Sequence, residues 1–342
     1  MMKVVIVGGG MVGMTLAHLL RKRGVEPTVL ERMPAGHYIP RGYMLGFQGY
    51  ESLQEIGVYD EVRQHGRPIA PRDGQQPIAV GVRFGALIEA LQRDLPIVND
   101  HTVVELLHDD DGRVVGVVAE GPNGNTTFES DIVVACDGMR SPTRDMAGLT
   151  AQFTSLPEAE LGFSSPTPAD SSFAMAYMSD GGHIGMLSWN EGSGGWRSVK
   201  KVGAEAALAP GLDAIKEMWT RLLPASESAV VGLTSIDQIR YSEPQLLACP
   251  KWWSPGVVLI GDAAHFFGPE TGVSSGIGLG DAHALAQAIL QNPKNPDAAC
   301  AIYDVWRSPV VRPYEAADPG HMRVVVAGTI EATPDERWPP AA

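Results

Sequence analysis

A glycine-rich turn near the amino terminus constrains the fold of this chain more than any other feature. Gly8-Gly9-Gly10-Met11-Val12-Gly13 follows residues 3–7, a β-branched run typical of a strand buried on both faces of a parallel sheet. Residues 14–23 have a helical composition, and Gly24 follows as a helix stop. Residues 28–31 predict a second strand. The sequence therefore predicts a βαβ unit at the start of a doubly wound α/β fold.

The spacing Gly-x-Gly-x-x-Gly is the fingerprint of a dinucleotide site. Gly8 permits a tight turn, Gly10 lets the backbone approach a pyrophosphate, and Gly13 lets the helix pack closely on the strand. Met11 and Val12 open the helix, whose unpaired N–H groups attract phosphates. We therefore expect all five residues to contact a dinucleotide.

A carboxylate lies where the fingerprint requires one. Glu31 ends the second strand 18 residues beyond Gly13, where its oxygens accept hydrogen bonds from ribose hydroxyls. The neighbouring Arg32 would suit the 2′-phosphate of NADP, but Glu31 would repel that phosphate. The fingerprint alone does not separate NAD from FAD.

Two later runs also place polar residues and glycine directly after a buried strand. Residues 131–136 lead into Asp137-Gly138, and Leu259-Ile260 leads into Gly261-Asp262. Residues 269–282 then lead into a helix. Because ligands of a doubly wound sheet bind outside the carboxyl ends of its strands, we expect the three loops to meet in one crevice.

These motifs, in this order, resemble the FAD-dependent aromatic hydroxylases, the single-component flavoprotein monooxygenases similar to para-hydroxybenzoate hydroxylase. The resemblance covers about residues 1–150 and 250–315 by motif, and the segment between by position. It implies an α/β fold: a Rossmann-like FAD-binding domain with a parallel sheet, and an inserted substrate domain built on a mainly antiparallel sheet.

The resemblance implies contacts with the cofactor. Asp262 suits the ribityl hydroxyls of FAD, and a helix beginning near Gly272 would direct its positive end at the flavin pyrimidine edge. The Asp137-Gly138 turn would contact both the flavin and NADPH. Beyond the first motif, the expected cofactor-binding residues are Glu31, Arg32, Arg41, Arg83, Asp137, Gly138, Gly261, Asp262, Pro269, Gly272, Val273 and Ser274.

The predicted roles of two of these residues, Arg41 and Arg83, rest on looser matches to the family pattern. Residues 83–91 match the family's Arg-x-x-x-Leu-x-x-x-Leu helix, whose arginine lies near the flavin phosphates, and Arg41 occupies a loop that often holds another flavin-proximal arginine. The segment after Pro269 departs from the family pattern, because Ser274 replaces a glycine and Gly276 an asparagine. The local hydrogen bonding to the flavin is therefore expected to differ.

The implied function is that of an oxidoreductase. An FAD-dependent monooxygenase, or hydroxylase, would use NAD(P)H and O2 to hydroxylate or epoxidise an electron-rich, aromatic small molecule through a flavin C4a-hydroperoxide. The catalytic side chains are unknown, because the flavin carries the chemistry; the candidates are His265, Pro269, Tyr177 and His183. An FAD-dependent reductase or oxidase without oxygen insertion is the alternative. A less favoured one is an NAD(H)-binding dehydrogenase or sensor, which leaves Asp137 and Asp262 without a role.

The composition limits the binding partners and the cellular compartment that we expect for this protein. Lys and Arg number 26 against 40 Asp and Glu, a net charge of −14, which argues against nucleic acid. The three cysteines are far apart and form no disulfide framework or metal site, which favours a reducing, cytoplasmic location. Residues 4–20 lack charge but contain four glycines, so we expect no membrane span. The chain is expected to be a monomer or homodimer with a small-molecule substrate.

The predicted domains are discontinuous. The FAD-binding domain comprises residues 1–70, 83–150 and 255–325, the substrate domain comprises 71–82 and 151–254, and a tail comprises 326–342. Within the substrate domain, strands are predicted at 172–178, 183–189 and 196–199, glycine-rich loops at 180–182 and 192–195, and a helix at 212–223.

Overall fold

The computed structural model describes residues 2–38, 41–45, 49–70, 79–178, 182–269 and 272–316. Its strands are, in chain order, β1 (Val4–Val7), β2 (Thr28–Leu30), β3 (Gly42–Leu45), β4 (Arg67–Ile69), β5 (Ala79–Arg83), β6 (Ile97–Val98), β7 (Thr102–His108), β8 (Val114–Gly121), β9 (Gly124–Glu129), β10 (Ile132–Ala135), β11 (Gln152–Ser155), β12 (Ala159–Ser165), β13 (Phe173–Tyr177), β14 (His183–Trp189), β15 (Gly192–Val199), β16 (Ile239–Ser242), β17 (Gln245–Ala248), β18 (Trp253–Ser254), β19 (Val257–Leu259) and β20 (His265–Phe266).

The α-helices are α1 (Met11–Arg21), α2 (Tyr50–Glu55), α3 (Tyr59–Gln64), α4 (Phe84–Gln92), α5 (Pro142–Met146), α6 (Ala204–Leu208), α7 (Gly211–Leu222), α8 (Glu227–Val231), α9 (Ser274–Gln291) and α10 (Pro296–Ala316). Short 3-10 helices cover Pro224–Ser226, Ile236–Gln238 and Gly261–Ala263.

Parallel strands form the centre of the amino-terminal unit, in the order β19-β10-β1-β2-β6, and β18 pairs antiparallel with β19 at one edge. Every residue of β1 is buried, as its unbroken β-branched run requires. Alternate side chains face opposite layers: Val4 and Ile6 pack with α1 and α9, whereas Val5 and Val7 pack against the antiparallel sheet β7-β8-β9. The predicted parallel sheet with a buried β1 is confirmed.

Glycines on α9 let this helix pack closely against its neighbours. A Cβ on Gly278 would lie 2.9 Å from Val12 Cγ2 on α1, and one on Gly280 would lie 2.9 Å from Arg307 Nη2 on α10. Such short distances are tolerated only without a side chain. The glycine-rich start of α9 therefore brings α1 and α10 to either side of the same helix.

A mainly antiparallel sheet, β13-β14-β15-β12-β16, forms the second unit, as predicted. One of its faces is covered by α7, whose Ile215 and Trp219 pack with Leu161 and Phe163 of β12. The rings of Phe163 and Trp219 meet edge to face, with centroids 5.1 Å apart. The predicted helix at 212–223 is confirmed as α7.

The sheet β3-β5-β4 packs against β14 of the antiparallel sheet. Two glycines allow this approach: a Cβ on Gly42 would lie 2.5 Å from Trp189 Cζ3, and one on Gly81 would lie 2.5 Å from Ser188 O. β3 and β4 fall in the predicted FAD-binding domain, yet both pair with β5, most of which falls in the predicted substrate domain. The domain boundaries stay a prediction.

The predicted loop at 192–195 is wrong, because this run forms the first half of β15. Packing, rather than a turn, requires glycine here: a Cβ on Gly195 would lie 2.2 Å from Phe163 Cε1. The turn lies at residues 190–191 instead. The predicted helix around Arg83 begins only at Phe84, and the predicted tail lies outside the described residues. Each helix among the described residues is too short or too polar to cross a bilayer.

Adjacent glycines in β15 give a matched test of this packing. Gly195→Ala should lower the free energy of unfolding by about 1–3 kcal/mol, because the Phe163 ring must move. Gly194→Ala places its Cβ no closer than 3.3 Å to its nearest neighbour, so it should cost less than about 1 kcal/mol. Urea unfolding measures both, and equal stabilities of the two variants would contradict the packing described.

Candidate functional site

The carboxyl ends of β1, β2, β10 and β19 lie side by side and carry the glycine fingerprint, Glu31, Asp137 and Asp262. The backbone links them: Gly8 N–H donates to Leu30 O at 2.8 Å, Cys136 N–H to Val7 O at 2.8 Å, and Ile260 N–H to Ala135 O at 3.1 Å. Because the loops leave neighbouring strands at the same edge, they meet at one place. The expected convergence of the three loops at this edge is what the structure shows.

The three fingerprint glycines have different surroundings. Gly8 has φ +113°, and its Cβ would lie 2.3 Å from Cys136 O; a Cβ on Gly13 would lie 2.2 Å from Gly8 O. A Cβ on Gly10, by contrast, would meet no protein atom within 4 Å. Gly8 and Gly13 are thus required by the fold, whereas Gly10 leaves open space in front of the first turn of α1, where Met11 and Val12 begin the helix.

The Glu31 carboxylate is held against the glycine-rich loop. Its Oε2 accepts from Gly9 N–H at 2.7 Å, and its Oε1 accepts from Met33 N–H at 2.8 Å. Each oxygen keeps a further lone pair for a ribose hydroxyl. Arg32 is exposed beside it. The contact of Glu31 with a ribose stays a prediction.

Asp262 lies in the 3-10 turn that follows β19. Its side chain is accessible to solvent, yet it lies deep among protein atoms, as in a cleft. Burial raises the pKa of Asp262, and the charges of His265 and Arg41 oppose this rise. Gly261, which precedes it, has φ +59°, a conformation that favours glycine.

Arg41 and Tyr43 lie near enough to Asp262 to interact with its charge. The Arg41 guanidinium stacks 4.4 Å above the centroid of the Phe84 ring. Burial lowers the pKa of Arg41, and Asp262 opposes this change. Burial raises the pKa of Tyr43 to about 12, while a hydrogen bond with Ser275 opposes the rise. Tyr43 and Ser275 were missed by the sequence analysis, although the alternation of a strand places Tyr43 on the same side as Arg41.

The amino terminus of α9 completes the cleft. Gly272 is exposed with φ +64°, and a Cβ there would lie 3.5 Å from Met44 Cε on β3. Val273 is the N-cap residue, and the hydroxyl of Ser274 accepts from Phe267 N–H at 3.2 Å. The first turn carries no acidic side chain, so none of its own residues opposes the positive end of the helix dipole. Pro269 is exposed just before this segment.

The Asp137 carboxylate is directed at its own helix. It accepts from the Ser141 hydroxyl and, at 3.1 Å, from Thr143 N–H, and so caps α5. Gly138 has φ +87°. The buried Arg144 donates to Met139 O at 3.1 Å and to Ala263 O at 3.2 Å, joining this loop to the Asp262 turn. Asp137 therefore shapes the edge of the site, and its contact with a cofactor stays a prediction.

Arg83 is paired with Glu89 and Tyr38. Its Nη1 and Nη2 pair with the Glu89 carboxylate at 3.1 and 3.0 Å, and Nη1 also donates to Tyr38 Oη at 2.5 Å. A contact between Arg83 and the flavin phosphates stays a prediction.

The structure does not support a catalytic role for His265. The side chain is fully buried and its Nε2 lies 2.7 Å from Asp281 Oδ2, so it belongs to the core behind the Asp262 turn. His183 is buried in β14, where its Nδ1 lies 3.1 Å from Ser198 Oγ. Tyr177 pairs across from His183 and is 55% exposed. These last two and Pro269 stay candidates.

The glycine fingerprint on a parallel sheet, with a second acidic turn and a helix amino terminus at the same edge, defines a dinucleotide-binding fold of the flavoprotein class. The chain belongs to the FAD-binding domain family, whose model matches residues 1–75 and 85–316.

Curated relatives of the chain are named as monooxygenases. The chain is 26% identical to the FAD-dependent monooxygenase cle3 of Aspergillus versicolor, over 84% of this chain and 67% of that protein. It is also 26% identical to para-nitrophenol 4-monooxygenase of Pseudomonas sp. strain WBC-3, over 85% of this chain and 78% of the relative. The predicted family resemblance and the prediction of an FAD-dependent monooxygenase are confirmed.

A solved structure has the same fold. 2-Methyl-3-hydroxypyridine-5-carboxylic acid oxygenase superposes with a TM-score of 0.78 at 18% identity, covering 97% of this chain and 94% of that one. The predicted fold class is confirmed.

Gly10 offers a test that separates cofactor binding from folding. Gly10→Val should lower FAD affinity at least ~10-fold, or ~1.4 kcal/mol, because its side chain fills the space in front of α1. Folding should lose at most about 1 kcal/mol, since valine is only a poorer N-cap. Gly13→Ala is the contrasting variant, because its Cβ meets Gly8 O and should destabilise the apoprotein itself. Flavin titration and urea unfolding measure the two effects, and undiminished FAD affinity in Gly10→Val would contradict the assignment.

FAD affinity should depend on pH through Asp262. Its pKa is raised in the apoprotein, and a hydroxyl donated by bound FAD would lower it, so binding releases a proton. Affinity should be full above the raised pKa and fall as the pH drops through it, by up to ~10-fold per pH unit. Titrations between pH 7 and 4.5 measure this, with Asp262→Asn as the comparison. An equally steep profile in Asp262→Asn would refute the role of Asp262.

Proposed function

We propose that this chain is a monooxygenase that uses NAD(P)H and O2 to hydroxylate or epoxidise an electron-rich aromatic small molecule, with FAD bound across the strand-end loops. The observation that carries the proposal is the meeting of the Gly10 loop, Glu31 and Asp262 at one edge of the parallel sheet. An NAD-binding protein would need the first two features alone, whereas the Asp262 turn and the amino terminus of α9 extend the cleft beyond them.

The residues present fit FAD. The open space at Gly10 would admit the pyrophosphate onto the amino terminus of α1, and Glu31 would accept from the adenosine ribose. Asp262 would accept from the ribityl chain. The first turn of α9 and Arg41 would stabilise negative charge on the ring system. Bound FAD would supply both the acceptance of hydride and the activation of O2.

The overall reaction needs two electrons from a reductant other than the substrate, because the second oxygen atom of O2 is reduced to water. One oxygen atom of O2 enters the substrate, the other leaves as water, and NAD(P)H with one proton is converted to NAD(P)+. We therefore assign NAD(P)H as co-substrate. The protein's own contribution is to position the substrate and to exclude water from the reacting centre.

An apolar, partly aromatic cluster lies on the side of the antiparallel sheet that faces β3. Leu187 of β14, together with Phe173, Trp196 and Met44, forms an apolar cluster between the antiparallel sheet and β3. A Cβ on Gly185 would lie 2.5 Å from Trp196 Cζ2, so the indole lies directly over this glycine. Since Met44 also approaches Gly272 at the start of α9, the cluster adjoins the cofactor cleft. This supports a mainly apolar, aromatic substrate.

Isotope labelling tests the proposal. The purified holoenzyme, given NAD(P)H, 18O2 and a panel of phenols and aromatic carboxylates, should form a product that carries one 18O atom for each NAD(P)H consumed with that substrate. Mass spectrometry of the product measures the incorporation, and the same reactions in H2 18O under unlabelled O2 are the control. A product that forms without label from 18O2 would favour a reductase or oxidase, and a protein that binds no FAD would end the proposal.

A further inference from the structure

A fully buried carboxylate lies behind the Asp262 turn. Asp281, in the middle of α9, accepts from Gly261 N–H at 3.0 Å through Oδ2, which also lies 2.7 Å from His265 Nε2. Its Oδ1 accepts from Arg307 Nε of α10 at 2.8 Å. Asp281, His265 and Arg307 are all buried, with at most 3% of any of them exposed. One carboxylate thus joins α9, α10 and the loop after β19.

The network keeps Asp281 ionised in the core. Burial acts to raise the pKa of Asp281, but the charges of His265 and Arg307 and the hydrogen bonds from His265 and Gly261 lower it overall. Arg307 is fixed in turn, since its Nη2 donates to Ile277 O at 3.0 Å. Glycine at position 280 leaves the room that this guanidinium occupies.

The contact with Gly261 links this network to the cofactor cleft. Gly261 adopts a positive φ, and the direction of its peptide plane decides where the next side chain, that of Asp262, points. The Gly261 N–H is the one backbone donor of this turn that Asp281 holds. A purely apolar core would pack α9 against α10 as well, and without the cost of burying charges. Helix packing therefore does not explain the charged contact, whereas the conformation of the turn at Gly261 does.

We infer that Asp281 is a positioning residue for the cofactor: by holding Gly261 N–H, it aims the Asp262 carboxylate at the ribityl chain. The inference rests on the proposed function, because it requires FAD at Asp262. Arg307 and His265 act indirectly, because their contacts with Asp281 fix its carboxylate.

The test is a double-mutant cycle on FAD affinity, with apoprotein titrated by FAD. Asp281→Asn should raise the Kd for FAD at least ~10-fold. If Asp281 acts through Asp262, the variant carrying both Asp281→Asn and Asp262→Asn should bind FAD no more than about twofold more weakly than Asp262→Asn alone. A general loss of structure would instead add the two effects.

Tyr303→Phe is the matched control. The buried Tyr303 hydroxyl donates to Leu259 O at 3.2 Å, at the end of the strand that leads into the turn, and this hydrogen bond is to neither Gly261 nor Asp281. This variant should unfold at a lower urea concentration, because it lacks this buried hydrogen bond, and keep the Kd for FAD within about twofold of the wild type. Urea unfolding of each apoprotein gives the stability.

If Asp281→Asn does not fold, Arg307→Lys gives the same test, because lysine keeps the charge and withdraws the Nε–H donor from Asp281; the expected rise in Kd is then about threefold. An unchanged Kd in the folded variant, or additive effects in the cycle, would overturn the positioning role. Failure of the wild-type apoprotein to bind FAD would instead overturn the proposed function, so the two outcomes are distinct.

Discussion

The close crossing of Gly8 over the end of β10 is the constraint on which the site depends. A Cβ on Gly8 would lie 2.3 Å from Cys136 O, and one on Gly13 would lie 2.2 Å from Gly8 O, so the loop, α1 and β10 can approach only without side chains. This approach places the amino terminus of α1 beside the Asp137 and Asp262 loops. As a result, the space in front of Gly10 stays open, and a cofactor can approach the backbone there.

Close packing at glycine also occurs along α9, and this helix carries a buried charge as well. Gly278 brings α9 against α1, and Gly280 makes room for Arg307, which holds Asp281. Asp281 in turn holds the backbone of Gly261. The acidic turn after β19 is therefore fixed by the core behind it, while its own side chain remains accessible in front.

Much of this could be predicted from the sequence, because the motifs are local. Gly8, Glu31 and Asp262 each follow a buried strand, and parallel strands end at a common edge. Asp137 also follows a buried strand in the sequence, as Asp262 does. Its carboxylate nevertheless caps α5, because the folded chain brings Ser141 and Thr143 within hydrogen-bonding distance of it. Tyr43 and Asp281 were missed because their partners, Ser275 and Gly261, are remote in the chain. Gly195 was misassigned, because glycine permits close packing as well as turns.

A crystal structure of the chain with FAD bound tests the central claim most directly. The account predicts one FAD molecule with its pyrophosphate at Gly10, its adenosine ribose at Glu31 and a ribityl hydroxyl within ~3.2 Å of the Asp262 carboxylate. An FAD molecule that leaves Asp262 facing a separate cavity, or that binds away from the Gly10 loop, would contradict it.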